Sequence, residues 1–148
     1  MARVVVVAKE DMAEVIAATV QAREVLRPRT GKAMRHELHK AQPELFIADE
    51  DGVDFELLPE LVRVHYVTAR PRIIAAMRAI TRRKLRLAAL AGVYDVINRD
   101  DELWPQDLQA SVEAALGSPR SSGQQVLGAR AGQPCSGLYL VSRVRPKP

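Results

Sequence analysis

The sequence predicts an α+β fold. It consists of a small, mostly antiparallel sheet (N-terminal strand, acidic-tipped hairpin, C-terminal strand) packed by three to four helices, with a flexible C-terminal arm. Three observations lead there. Residues 3–9 (RVVVVAK) are rich in β-branched side chains and do not alternate, as in a strand covered on both faces. Residues 45–58 place two apolar arms around Asp51-Gly52, the dipeptide favoured in type I′ hairpin turns. Elsewhere apolar residues recur at helical spacing.

Along the chain, the first strand gives way to Asp11 with Glu14 three residues on, which resembles a capping box. Met12, Val15, Ile16, Thr19, Ala22 and Leu26 then mark a helix that must stop before Pro28, with Arg23 and Arg27 at its dipole-negative end. The polar, basic stretch 29–43 holds a short helix over 33–42. The hairpin comes next. Residues 61–68 alternate Val62, Val64 and Tyr66 with Arg63 and His65, which predicts a third antiparallel strand, although Pro59-Glu60 could instead open a helix there.

Pro71 suits the first turn of a long helix reaching to about residue 98. On that wheel Ile73, Ala76, Met77, Ile80, Leu87 and Ala91 share one side, and Arg78, Arg82 and Arg86 stack opposite. Lys84 falls on the apolar side, so it must snorkel or find an acid. Residues 105–116 form another amphipathic helix through Leu108, Val112 and Leu116, with Gly117 as C-cap. Residues 117–137 shift to Gly, Ser, Pro and Gln, a linker composition, before a last strand over 138–144. The organisation is therefore one α+β domain over 1–117 and a basic arm over 118–148.

Composition narrows the functional classes. The 148 residues carry a net charge of +4, with 47% hydrophobic and only 4% aromatic residues, which predicts an aliphatic core. The single Cys135 excludes an internal disulfide and suits a reducing compartment. No apolar run approaches the ~20 residues of a membrane span, and the first residues are too short a run for a secretory signal. The expected location is cytoplasmic, or within a virion or other large intracellular assembly.

The charges are sorted into blocks. Residues 44–60 carry Glu44, Asp49, Glu50, Asp51, Asp54, Glu56 and Glu60 without a base. Residues 61–94 carry Arg63, Arg70, Arg72, Arg78, Arg82, Arg83, Lys84 and Arg86 without an acid. Segregated charge makes local fields that select partners. This pattern supports a structural subunit of a larger protein assembly, such as a viral connector or tail-type ring. It would dock through an acidic surface (Asp49, Glu50, Asp51, Asp54), a basic surface (Arg70, Arg72, Arg78, Arg82, Arg83, Arg86) and the arm. The alternative is a basic nucleic-acid-binding module, or small ribonucleoprotein subunit, whose helix over 70–86 contacts phosphates. The partners would be copies of itself, other subunits, or DNA or RNA, and not a membrane.

No catalytic signature accompanies the blocks, so a non-catalytic protein without metal or cofactor is expected. His36, Glu37 and His39 do not match the zinc-protease order His-Glu-x-x-His. Aligning Gly52 with the glycine of a calcium loop puts Ile47 and Leu58 at ligand positions, where neither can coordinate. Thr30-Gly31-Lys32 lacks the flanking residues of a phosphate loop. Cys135 has no neighbour that would activate its thiol.

Overall fold

The computed structural model describes residues 2–67 and 71–117. Its strands are β1 (Val4–Val7), β2 (Glu24–Val25), β3 (Leu45–Asp49), β4 (Arg72–Met77) and β5 (Asp95–Asn98). Its helices are α1 (Glu10–Thr19), α2 (Gly31–Ala41), α3 (Leu57–Val67), α4 (Arg82–Leu90) and α5 (Trp104–Gly117), with a 3₁₀ turn over Glu50–Gly52. The strands form one sheet in the order β2-β1-β3-β4-β5, every neighbouring pair parallel. This is a flavodoxin-like α/β fold, which overturns the expected mostly antiparallel α+β sheet.

Three local readings produced that error. The expected hairpin over 45–58 contains only β3. Its acidic turn continues into the 3₁₀ turn and α3, because a parallel neighbour can be reached only by a crossover. Residues 61–68 lie mostly in α3, so Pro59-Glu60 marks a helix rather than the end of a strand. The expected helix over 71–98 is a β4–α4–β5 unit. All six residues of β4 are buried, which is what a central parallel strand requires of its sequence. β1 is buried along its whole length, as its unalternated valines predict. The helices expected over 33–42 and 105–116 are present as α2 and α5. The predicted last strand over 138–144 and Cys135 lie outside the described residues.

Two apolar layers sandwich the sheet. Val5, Val7, Phe46, Ala48, Ile73, Ala75 and Met77 pack on one face against Met34 and Leu38 of α2, Leu57, Leu61 and Val64 of α3, and Ala88 of α4. Val4, Val6, Leu45, Ile47, Ile74 and Ala76 pack on the other against Met12 and Ile16 of α1 and Leu108 and Val112 of α5. Each fully buried Val, Leu, Ile, Phe or Met side chain among them contributes about 1.5–3 kcal/mol from removal of apolar surface from water. Helix α4 is lightly seated, with Ala88 its single fully buried residue, and Gly92 turns the chain at φ 67° toward β5.

The charged side chains gather where the strands end. Gly52 brings the turn after β3 onto the end of β1; a Cβ there would lie 3.0 Å from the Cα of Ala8, a tight contact that any larger residue could make only if the backbone gave way slightly.

Candidate functional site

In open α/β sheets ligands bind beyond the carboxyl ends of the strands, where the strand order reverses. Here that point lies between β1 and β3. A charged residue stands at or just beyond the end of each long strand: Lys9 after β1, Asp49 closing β3, Arg78 after β4 and Arg99 after β5.

Asp49 is 1% exposed. Its carboxylate accepts the backbone N–H of Lys9 at 3.3 Å and of Asp51 at 3.1 Å. Burial pushes the Asp49 carboxyl above the ordinary aspartate range, and the opposing charge of Arg99 with these two N–H groups does not cancel that push.

Arg99 is buried too, its guanidinium stacked 4.2 Å over the Trp104 ring. Its Nη2 donates to Asp11 Oδ2 at 2.8 Å, while Nε and Nη1 have no hydrogen-bond partner. Asp11 itself is 57% exposed at its side chain and covers the guanidinium from the solvent side. Its other oxygen, Oδ1, accepts the N–H of Met12 at 2.8 Å. Desolvation alone would raise the Asp11 carboxyl. The Met12 N–H and the Arg99 hydrogen bond and charge outweigh it and hold the group below the usual range. Lys9, the N-cap of α1, supplies no side-chain cap.

A cavity of about 530 Å³ opens over this cluster, lined among others by Lys9, Asp11, Arg27, Asp51, Arg78 and Arg99. Arg78 closes one side. Its Nε donates to Asp51 Oδ2 at 2.5 Å, and its Nη1 lies 3.6 Å from Asp100 Oδ1. The hydrogen bond to Asp51 raises the Arg78 pKa above its ordinary value. Asp100 also accepts the N–H of Ala79 at 2.7 Å, which fixes Ala79 at a left-handed φ of 47°.

The sequence-predicted residues divide. Glu50 and Asp51 meet the basic block inside the chain, through Lys84 (Nζ to Oε1, 2.7 Å) and Arg78. Lys84 thus finds the acid its position demanded, and its Nζ also donates to the Arg78 carbonyl at 2.6 Å. Asp49 is buried and Asp54 is exposed at the cavity mouth. Arg72 belongs to the opposite end of the sheet: it is buried, its Nη1 donates to the Ala115 carbonyl, and its guanidinium lies 5.4 Å from the Tyr94 ring centroid. Arg82, Arg83 and Arg86 are exposed on α4. Arg70 lies outside the described residues. Sequence reasoning missed Lys9, Arg99 and Trp104, and took Asp11 only as a helix cap. A usable signal was present: a charged residue within two positions of the end of each buried apolar run, in VVVVAKED, LFIADED, IIAAMR and VINRDD.

Carboxylates gathered at strand ends raise the question of a divalent cation, and this donor set does not fit one. Asp49 is closed off by backbone N–H donors, Asp11 is engaged by Arg99 and Asp51 by Arg78. Among the described residues no three His, Cys, Asp or Glu side chains are grouped to hold a metal ion. Nor is any helix among them long and apolar enough to cross a membrane.

No family model matches the chain, and no curated protein matches it. Solved structures do. The signal receiver domain of a DNA-binding response regulator from Colwellia psychrerythraea superposes with a TM-score of 0.63 at 11% identity, covering 80% of this chain and 100% of that one. The receiver domain of a Saccharomyces cerevisiae response regulator, solved with its histidine phosphotransfer protein, gives 0.59 at 12% identity over 76% and 87%. The signal receiver domain of an HD domain-containing protein from Pseudomonas fluorescens gives 0.59 at 13% over 78% and 85%. At these identities the likeness is one of fold. It corrects the expectation of a viral connector or other structural assembly subunit, and that of a nucleic-acid module built on a helix over 70–86. That segment is not one helix: it contains β4, Arg72 is buried in the fold and Arg78 is spent on Asp51.

Proposed function

We propose that this domain is a receiver-like signalling module that acts by docking on partner proteins, and that its strand-end site does not turn over phosphoryl groups. The fold shared with signal receiver domains supports the first part. One observation carries the second: Asp49, the carboxylate at the switch point, is 1% exposed and already accepts two backbone N–H groups, while the neighbouring acid is bound to Arg99. A carboxylate that is to attack phosphorus must be reachable, and the charge of the transferred group must be met by free cations. The surface left for a partner includes the exposed Arg82, Arg83 and Arg86 of α4 with Leu90, which is 58% exposed. Basic and apolar groups side by side suit a protein partner with an acidic rim.

The test is incubation of the full chain with acetyl phosphate and Mg²⁺, followed by intact mass and amide NMR. An unchanged mass is expected, and an amide spectrum that returns to its starting positions once the reagent is removed. A phosphoryl adduct that disappears in Asp49→Asn would overturn the reading.

A further inference from the structure

A buried guanidinium that uses one of its three nitrogens is an incomplete site. Charged donors are normally satisfied when they leave water, because an unmet N–H in the interior costs the desolvation it has undergone. In Arg99 only Nη2 is engaged, and Nε and Nη1 are left without partners. The residue lines the cavity over the switch point, together with Lys9, Arg27 and Arg78. The amino end of α1, which has ten residues, faces the same space through Lys9, Glu10 and Asp11, and its N-cap residue Lys9 makes no side-chain capping bond.

We infer that this cavity binds a small ligand through an oxyanion group, phosphate or carboxylate, that takes the place of Asp11 on Arg99. This rests on the reading that the site performs no phosphoryl transfer. The geometry explains why an external anion can compete with an internal one. Asp11 reaches Arg99 with Oδ2 alone, because Oδ1 is held by the Met12 N–H. A free oxyanion has no such tether and, once Asp11 has left, can settle to take two guanidinium N–H groups at once, the paired arrangement in which guanidinium–oxyanion contacts are strongest. Asp11 is the exposed member of the pair, so it can leave into water without unfolding anything. Its present contact is thus an internal stand-in for the ligand. Glu10, Asp51 and Asp54 at the rim oppose a second negative charge, which favours a ligand with one oxyanion group and hydroxyl or amine donors elsewhere.

The experiment titrates the full chain with inorganic phosphate and, separately, with acetate, at constant ionic strength. Amide and indole NMR signals of Lys9, Asp11, Arg99 and Trp104 are followed. Saturable shifts confined to these residues are expected, and the anion that saturates first identifies the oxyanion class. Asp11→Asn, which removes the competing charge, should tighten binding about tenfold, and Arg99→Lys, which removes the fork, should weaken it about tenfold. Linear, non-saturating shifts with both anions, or unchanged affinity in Asp11→Asn, would overturn the inference. The acetyl phosphate experiment reports separately: a covalent adduct defeats the functional reading, whereas absent adduct with absent saturation defeats only the oxyanion site.

Discussion

Two buried arginines sit at opposite ends of this sheet, each over an aromatic ring, and they are built differently. Arg72, at the start of β4, stacks on Tyr94 and donates to the Ala115 carbonyl in the last turn of α5. That carbonyl is one of the helix-end acceptors that need a donor, so the guanidinium serves the fold. Arg99, just after β5, stacks on Trp104 and meets an exposed side-chain carboxylate beside a cavity. The same residue type, buried at both ends, is a tie in one place and an unfinished contact in the other. The difference lies in the partner: a backbone group that cannot move, or a side chain that can.

The widest separation between them should be in stability. Arg72→Met strands the Ala115 carbonyl and should cost about 2–3 kcal/mol, read from the urea midpoint at unchanged slope. Arg99→Met relieves a poorly satisfied charge and should cost about 1 kcal/mol or less at pH 5. Equal losses would erase the distinction.

The carboxylates near Arg99 sharpen it through pH. Asp49 has a raised pKa in the folded state, so its contribution is fully present below the ordinary aspartate value and is lost as pH rises through the raised one. Asp11 has a lowered pKa, so its contribution is present above the ordinary value and is lost as pH falls through the lowered one. Asp49→Asn should therefore be more stable than the parent at pH 7, with the advantage fading toward pH 3. Asp11→Asn should show a slight loss at pH 7 that fades in acid. A pH series of denaturant midpoints checks both signs.

The smallest effect serves as the reference. Lys84 and Glu50 are both partly exposed and should couple by about 0.5 kcal/mol in a double-mutant cycle of Lys84→Met and Glu50→Gln. A coupling several times larger would mean that the turn after β3 is held to α4 as firmly as α5 is held by Arg72.

Legibility in the sequence splits along the same line between local and distant contacts. Val4–Val7 read as a doubly covered strand because four valines fit nothing else. Residues 73–77 (IIAAM) are buried just as completely, but alanine and methionine are good helix formers and Pro71 suits a helix start. A short apolar run fits both periods, and tertiary pairing decided. Asp51-Gly52 follows β3 in a 3₁₀ turn that leads into α3 and not at the tip of a hairpin, because the dipeptide does not encode whether a strand or a helix comes next. The charge blocks read as surfaces for outside partners, whereas Glu50–Lys84 and Asp51–Arg78 join acid to base within the chain. The Asp11–Arg99 contact spans 88 positions, and no local pattern could pair them.

Trp104 is the chain's single tryptophan, and its ring lies against a guanidinium whose contacts are unfinished. The molecule therefore carries an intrinsic optical gauge at its own pocket. Any rearrangement of Arg99, whether by a small molecule, a protein partner or a proton, changes the surroundings of that indole, and its emission can be followed in the unmodified chain without a label.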